Sequence, residues 1–258
     1  MSFSPRGFFT THNRGIGTKG TVRRMALSGS IQTLVDVDVG ELNPATAAWT
    51  ATSVAIDAID DSYVVAFHGI ELNSSYEVTN HLVIKKFSDE DELLWTYATT
   101  FVNFGPTYIE VSGYNQDVVC FGMGSKVVVL TSAGQHRFDI AIDSTKGAIR
   151  ASTGDIHLTS RGMSADTQVR KYDKDGEFLW AAGANNTPYR NIILRQSDGQ
   201  VYATSGRTLV PFSSEGTRFA GWLIYDWQTP TYDMDFNSSN EIIAATASGL
   251  PGSPRETD

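Results

Sequence analysis

The sequence contains a single cysteine, few charged residues and no long apolar run. Cys120 is the only cysteine, so no disulfide can form within the chain. It lies in the apolar segment Val118–Phe121, which predicts a buried thiol rather than a reactive one. No apolar run reaches the length of a signal peptide or of a membrane span. We therefore expect no secretion by the usual route and no membrane span.

The charge balance is acidic overall but basic at the start. Charged residues make up 19% of the chain, and the formal net charge is −9, which argues against binding nucleic acid over the whole surface. No acid precedes Asp36. This asymmetry predicts that residues 1–20 are a basic arm that docks on an acidic surface, such as a neighbouring subunit, with a solvated tail as the alternative. The partner-binding candidates in the arm are Phe3, Arg6, Phe8, Phe9, Arg14 and Lys19.

The sequence also lacks stripes of apolar residues at helical spacing. It contains instead short strand-like segments that recur along the chain. Each copy has a large apolar or aromatic residue, a turn residue four places later, and a bulky residue about four places after that. The turn residues are Asp91, Gly134, Gly176 and Gly216. They lie 43, 42 and 40 residues apart. Such a period with glycine-rich turns is typical of four-stranded propeller blades.

Two earlier strands precede each motif. The candidates for the innermost strand are Ser53–Ile59, Tyr108–Ser112, Ala148–Ser152, Asn191–Gln196 and Tyr232–Asn237. The last unit, at 231–247, has only two inner strands, and the first, at roughly 21–37, has only two outer strands. Joining them would hide two open sheet edges. We therefore predict an all-β, five-bladed β-propeller with about 42 residues per blade, closed by a composite N-/C-terminal blade.

The predicted domain organisation follows from this closure. Residues 1–20 are the arm, residues 21–248 form the single propeller domain, and residues 249–258 are a flexible tail. Residues 69–80 are predicted to form a longer hairpin that protrudes as a contact element, with an elaborated loop of no role as the alternative.

The outer hairpins resemble a known family. Asp173, Gly176 and Trp180 resemble the Asp…Gly…Trp element of pyrroloquinoline-quinone-type propeller repeats, with one residue fewer between Asp and Gly. In that family the tryptophan docks between blades, and the resemblance implies the same place for Trp95 and Trp180. The tryptophan–aspartate repeat signature is absent. Five-bladed lectins and glycosidases share the architecture, but the sequence shows none of their motifs.

A column of charges follows the large apolar residue of each innermost strand. The five residues are Asp57, Glu110, Arg150, Arg195 and Asp235. Since innermost strands line the channel of a propeller, we expect these side chains to form a ring. The ring could neutralise itself through the pairs Glu110–Arg150 and Arg195–Asp235, because buried charges must be paired. It could instead bind a polar ligand or cation, or supply the carboxylates of a glycosidase from Asp57, Glu110 and Asp235.

No catalytic residue, metal site or cofactor is predicted. The five histidines lack the spacing of metal ligands. The segment 173–177 imitates the start of a calcium loop, but its spacing fails, and it is interpreted as a turn.

Three classes of function fit these observations. The sequence favours a non-enzymatic structural or assembly subunit that holds other protein chains or copies of itself, such as a phage virion or tail component. The alternatives are a glycan-binding propeller, lectin-like or receptor-binding, and a glycosidase or lyase acting at the channel mouth. The expected location is a virion, or otherwise the cytoplasm.

Overall fold

A computed structural model describes residues 2–4, 7–13, 19–25, 31–38, 47–72, 74–75, 77–101, 108–160, 168–183, 189, 191–205, 208–223, 231–236 and 240–246. Within these residues the chain is all-β and contains no helix. The all-β class predicted from the sequence is therefore confirmed.

The described strands form six antiparallel sheets, numbered here in chain order. The first sheet holds β1 (Ser2–Ser4), β2 (Gly7–Asn13), β3 (Lys19–Met25) and β4 (Ile31–Asp38). The second holds β5 (Ala48–Ile56), β6 (Tyr63–Leu72), β7 (Val78–Phe87) and β8 (Leu93–Phe101). The third holds β9 (Tyr108–Val111), β10 (Val118–Phe121), β11 (Val127–Leu130) and β12 (His136–Ile140). The fourth holds β13 (Ser144–Ile149), β14 (Ile156–Ser160), β15 (Val169–Tyr172) and β16 (Phe178–Ala182). The fifth holds β17 (Ile192–Leu194), β18 (Val201–Ser205), β19 (Thr208–Phe212) and β20 (Trp222–Leu223), and the sixth holds β21 (Thr231–Phe236) and β22 (Ile242–Thr246).

The first strand of each sheet from the second onward lies beside the first strand of the next. β5 packs against β9, β9 against β13, β13 against β17, and β17 against β21. The sheets therefore extend outward from a row of innermost strands, which is a propeller-like arrangement. These innermost strands overlap the segments that the sequence predicts for them. Apolar side chains fill the space between successive sheets, and Cys120 is fully buried there, as predicted.

The four turn residues of the repeat share one backbone conformation. Asp91, Gly134, Gly176 and Gly216 all have positive φ, between 69° and 87°. In each turn, the side-chain oxygen of the residue three places before the turn residue accepts a hydrogen bond. The donor is the backbone N–H of the residue directly after the turn residue. The acceptors are Ser88, Thr131, Asp173 and Ser213. The segment 173–177 is thus one of four equivalent turns, which agrees with its interpretation as a turn.

An aromatic ring from each sheet lies on the turn glycine of the next. The pairs are Trp95 on Gly134, Phe138 on Gly176 and Trp180 on Gly216. The indole N–H of Trp95 donates to the carbonyl of Ser132 at 2.9 Å, and Trp180 donates to the carbonyl of Ser214 at 3.0 Å. The docking of Trp95 and Trp180 between sheets is therefore confirmed.

The start of the chain differs from the prediction. Residues 2–4 and 7–13, which the sequence assigns to the basic arm, form strands of the first sheet. β3 pairs with β2 on one edge and with β4 on the other, which leaves it no edge for β22. The predicted composite blade is therefore wrong in this form, and the count of five blades is not confirmed. The first sheet packs instead against β5 through β2 and β3. The predicted tail, residues 249–258, lies outside the described residues.

Candidate functional site

The five predicted ring charges do not occupy equivalent places. Each inner hairpin turn begins at a residue whose N–H donates to the carbonyl five places later. Those residues are Asp57, Ser112, Arg150 and Arg195. Glu110 lies two places before Ser112, so the dipeptide Ile109-Glu110 is not the counterpart of Ile56-Asp57. The prediction of one equivalent column is therefore wrong at Glu110, because the apolar-charged pattern ignored where the turn begins.

Asp57 is buried and fully used within the fold. Its Oδ2 accepts hydrogen bonds from Nζ of Lys86 at 3.0 Å and from Nε2 of Gln116 at 3.0 Å. The side chains of Asp57 and Lys86 are 0% and 4% exposed. Gln116 belongs to the inner turn of the third sheet, so this carboxylate also joins two sheets. A ligand that binds this carboxylate would have to replace these hydrogen bonds.

The fourth sheet has a related but less buried pair, whose acid ends the inner turn, whereas Asp57 begins one. In the fourth sheet, Nζ of Lys171 lies 2.8 Å from Oδ2 of Asp155. Lys171 directly precedes Tyr172, just as Lys86 directly precedes Phe87. Sequence reasoning missed both pairs, although a lysine directly before the aromatic residue in two copies was a signal for them.

The two arginines do not make the predicted pairs. Arg195 binds Asp198 in its own turn, with Nε 3.0 Å from Oδ1 and Nη2 2.5 Å from Oδ2. The Arg150 guanidinium lies against the next sheet, where a Cβ at Gly199 would be 2.8 Å from its Cζ. The ion pairs Glu110–Arg150 and Arg195–Asp235 are absent from the described part of the chain. The predicted neutralisation across the ring is therefore wrong, and a ligand role for these residues stays a prediction.

Glu110 is the centre of a separate cluster on the innermost strands. Its Oε1 accepts the hydroxyl of Tyr108 at 2.8 Å, and its Oε2 accepts the N–H of Ile149 in the next sheet at 3.0 Å. Nζ of Lys146 lies 4.8 Å from the centre of the Tyr108 ring. Burial raises the pKa of Glu110 to about 7, and the charge of Asp235 raises this pKa further, while Lys146 opposes the rise. We call Tyr108, Glu110, Lys146 and Asp235 the inner-strand cluster.

The Glu110 carboxyl predicts a stability that falls as the pH rises. Its pKa is about 7 in the folded protein, against an ordinary 4.5, so the folded chain binds this proton more tightly than the unfolded chain. The contribution is therefore lost as the pH rises through this range, by up to about 3 kcal/mol. We expect Glu110→Gln, which carries no charge at any pH, to remove this part of the pH dependence. The free energy of unfolding in urea at pH 5 and pH 8 measures it.

The control for this experiment is Glu90→Gln, which removes an exposed carboxylate from an outer turn. It should leave the difference between pH 5 and pH 8 as in the unmodified chain. Parallel pH profiles for the unmodified chain and Glu110→Gln would show that Glu110 titrates like an ordinary carboxyl group.

Exposed apolar side chains recur at one place of the motif, two or three residues after the turn residue. We call them the rim residues: Leu93, Leu94, Phe178, Leu179 and Phe219. They are between 44% and 54% exposed, and they lie at the beginning of, or just before, the outermost strand of their sheets. In the third sheet, His136 and Arg137 take this place. Sequence reasoning missed the rim because the docked aromatic residue directly beside it was the stronger signal.

The predicted long hairpin is confirmed as a structure. β6 and β7 run for 10 residues each and pair as far as Leu72 and Val78. Leu72 and Val78 are 58% and 57% exposed. Just below them, His81 Nε2 lies 3.1 Å from Oε2 of Glu71, which ties the two strands together. The role of this hairpin as a contact element stays a prediction.

The partner-binding candidates of the N-terminal segment fall in two groups. Phe3, Phe8, Phe9 and Lys19 lie in strands of the first sheet, where Phe3 is the register partner of Phe8. Arg6 and Arg14 lie outside the described residues.

The described part of the chain shows neither a membrane-spanning helix nor a group of metal ligands. Its residues form no helix that could cross a membrane. They also contain no group of three or more His, Cys, Asp or Glu side chains that could hold a metal ion.

Comparison with known proteins supports the fold alone. No protein-family model matches the sequence, and no curated protein matches it either. A protein of unknown function from Bacteroides caccae aligns with a TM-score of 0.53 at 10% sequence identity, covering 87% of this chain and 78% of that one. The C-terminal WD40 domain of Sif2 gives a TM-score of 0.47 at 8% identity, covering 90% and 88%. Neither is described as a pyrroloquinoline-quinone or phage protein, so both resemblances stay predictions.

Proposed function

We propose that this chain is a non-enzymatic structural or assembly subunit that binds other protein chains through its rim residues. The observation that carries this proposal is the recurrence of large exposed apolar side chains at one motif position in the second, fourth and fifth sheets. Large exposed apolar side chains offer surface that a binding partner can bury. Because the rim follows the outer turns, a partner can reach it without entering the channel.

The use of the inner charges supports the same proposal. Asp57 is held by Lys86 and Gln116, and Arg195 is held by Asp198. Charges that are satisfied within the fold offer little to a charged ligand, because each must first lose a hydrogen bond. Binding at the perimeter needs no such exchange.

The test is a variant with Leu179→Ser and Phe219→Ser, which removes apolar surface from two neighbouring sheets and leaves the second sheet intact. We expect the unmodified chain, used as bait in an extract of its native source, to retain proteins that this variant loses. A loss of about 10-fold or more in captured partner is expected, because truncating a hot-spot side chain at the centre of an interface costs over about 1 kcal/mol. Quantitative mass spectrometry of the captured proteins measures it.

The matched control replaces two exposed residues of the third sheet's outer turn, as Ala133→Ser and Gln135→Ser. It should retain the same proteins as the unmodified chain. If the rim variant also retains the full set while folding normally, the rim does not bind protein partners and the proposal fails.

One observation favours a second function, hydrolysis or elimination at the channel. The pKa of Glu110 is raised to about 7, and Asp235 acts on it electrostatically. A protonated carboxyl group near a second carboxylate is the arrangement used by general acids in glycosidases. Release of a chromophore from aryl glycosides, lost in Glu110→Gln and in Asp235→Asn, would support this function. Glycan binding and a place in a virion remain predictions.

A further inference from the structure

The outermost strand of the second sheet has an unusual edge. β8 runs for 9 residues, whereas β12 and β16 have 5 each. It pairs with β7 along its length, with one bulge at Leu94 near its start. Its regular part, residues 95–101, pairs with no other described strand on its second edge. Its sequence from Leu93 to Phe101 contains no charge, no proline and no glycine. Natural edge strands usually carry a lysine, a proline or a bulge that prevents pairing with another chain.

The side chains of β8 alternate between two surroundings. Trp95, Tyr97 and Thr99 are half-buried, and the first two pack toward the third sheet. Thr96, Ala98 and Thr100 are exposed on the other face. One face of the strand therefore packs against the fold, while its second edge has no partner among the described strands.

The third sheet shows how the same place looks when it is protected. Its outermost strand β12 carries His136, Arg137 and Asp139 within five residues. Asp139 binds Nζ of Lys126 at 2.7 Å and Nε2 of His136 at 2.8 Å. Charges at this density oppose strand addition. The short strand β16 (Phe178–Ala182) also lacks charge, so what distinguishes β8 from β12 and β16 is nine residues combined with no charge.

We propose that β8 of one copy pairs antiparallel with β8 of a second copy across a two-fold axis, which joins two second sheets into one continuous sheet. This inference rests on the proposed function, since Leu93 and Leu94 belong both to the rim and to β8. The partner of the rim is then a second copy of this chain.

The charge distribution favours a second copy in this orientation. The acidic turn Asp89–Glu92 lies at one end of β8 only. An antiparallel pair places the two acidic turns at opposite ends of the joint, about 30 Å apart for nine residues per strand. Between them the contact contains no charge at all, so two chains with a net charge of −9 meet there without direct repulsion. A parallel pair would bring the acidic turns together.

The first test is the mass of the full chain in solution by sedimentation, over a range of concentrations. We expect a dimer for the unmodified chain. Thr96→Lys with Ala98→Lys, which places two charges on the exposed face of β8, should weaken dimerisation by about 100-fold or more. The matched control adds two lysines elsewhere, as Ala133→Lys with Gln135→Lys, and should dimerise like the unmodified chain.

A second measurement does not depend on the lysine variant. Because Cys120 is the only cysteine and is fully buried, a cysteine introduced at Ala98 is the accessible thiol of the chain. We expect Ala98→Cys to form a disulfide-linked dimer on oxidation, and Ala133→Cys to form no disulfide-linked dimer.

The outcomes separate this inference from the proposed function. A monomer at every concentration, with no cross-link at Ala98→Cys, overturns pairing through β8 but leaves binding of other proteins at the rim intact. A dimer that survives the β8 lysines and is lost in the Leu179→Ser, Phe219→Ser variant also overturns pairing through β8, and it supports the rim. A dimer that is lost only in the β8 lysine variant supports the inference.

Discussion

Replacing Asp57 by alanine is expected to lower the free energy of unfolding by about 3–5 kcal/mol, since removing one partner of a buried ion pair leaves the other uncompensated. The Lys86 ammonium would lose its 3.0 Å contact and keep only Oδ2 of Asp60 at 3.8 Å. Gln116 would also lose one acceptor and with it a link between the second and third sheets. Chemical denaturation followed by tryptophan fluorescence measures the loss.

The double variant Asp57→Ala with Lys86→Met separates the charge from the packing. Because it removes both charges, it should recover most of the stability and lie within about 1–2 kcal/mol of the unmodified chain. Asp139→Ala is the exposed control, since its partner Lys126 lies 2.7 Å away but both side chains are about one-third exposed. That variant should lose no more than about 1 kcal/mol. Equal losses for Asp57→Ala and Asp139→Ala would contradict the role given to burial.

Gly134→Ala is expected to cost about 3 kcal/mol, because overpacking and a left-handed backbone act together there. A Cβ at Gly134 would lie 2.5 Å from Cδ2 of Trp95, and the φ of Gly134 is +76°. The Trp95 ring would have to leave the turn and give up its hydrogen bond to Ser132. The free energy of unfolding again measures the effect.

The control tests whether the ring or the backbone requires the glycine. In a Trp95→Ala background, Gly134→Ala should cost only about 1 kcal/mol, the part due to φ. Asp91 supports this division, since it adopts a φ of 69° at the same place of the motif while carrying a side chain. A cost that does not change when Trp95 is removed would show that the backbone alone requires glycine.

Both predictions concern contacts between successive sheets. If they hold, the sheets depend on their neighbours for stability, as blades in a propeller do. The rim residues and the exposed β8 residues Thr96 and Ala98 contribute less to these contacts than Trp95 and Asp57 do. Variants at the rim and on β8 can therefore test binding without destroying the fold.

The outer hairpins were predictable from the sequence because their requirements are local. A turn with positive φ favours glycine, asparagine or aspartate, and the bulky residues beside it alternate along a strand, so both appear within about ten residues. The turns at Gly134, Gly176 and Gly216 are found where the period places them. The aromatic docking of Trp95 and Trp180 followed from the same local motif.

The N-terminal strands were missed for a physical reason. The segment contains Gly7 and Gly20, a residue type with low strand preference, yet Gly7 pairs with Ser4, and Gly20 pairs with both Asn13 and Val37. A glycine within a strand weakens it, so such a strand depends more on the hydrogen bonds that neighbouring strands supply. Which strands become neighbours is decided only when the chain folds.

The contacts of the inner charges could not be predicted from the sequence. The sequence by itself determined the all-β class, the period and the turn residues, because these depend on residues close together in the chain. The tertiary structure decided that Asp57 binds Lys86, 29 residues away, rather than a ring neighbour, and that Glu110 binds Ile149 of the next sheet. It also decided that, among the described strands, β8 pairs only with β7. Hydrogen bonds and ion pairs act over a few ångströms in space, so which charges meet depends on strand register and sheet order, neither of which a dipeptide pattern contains.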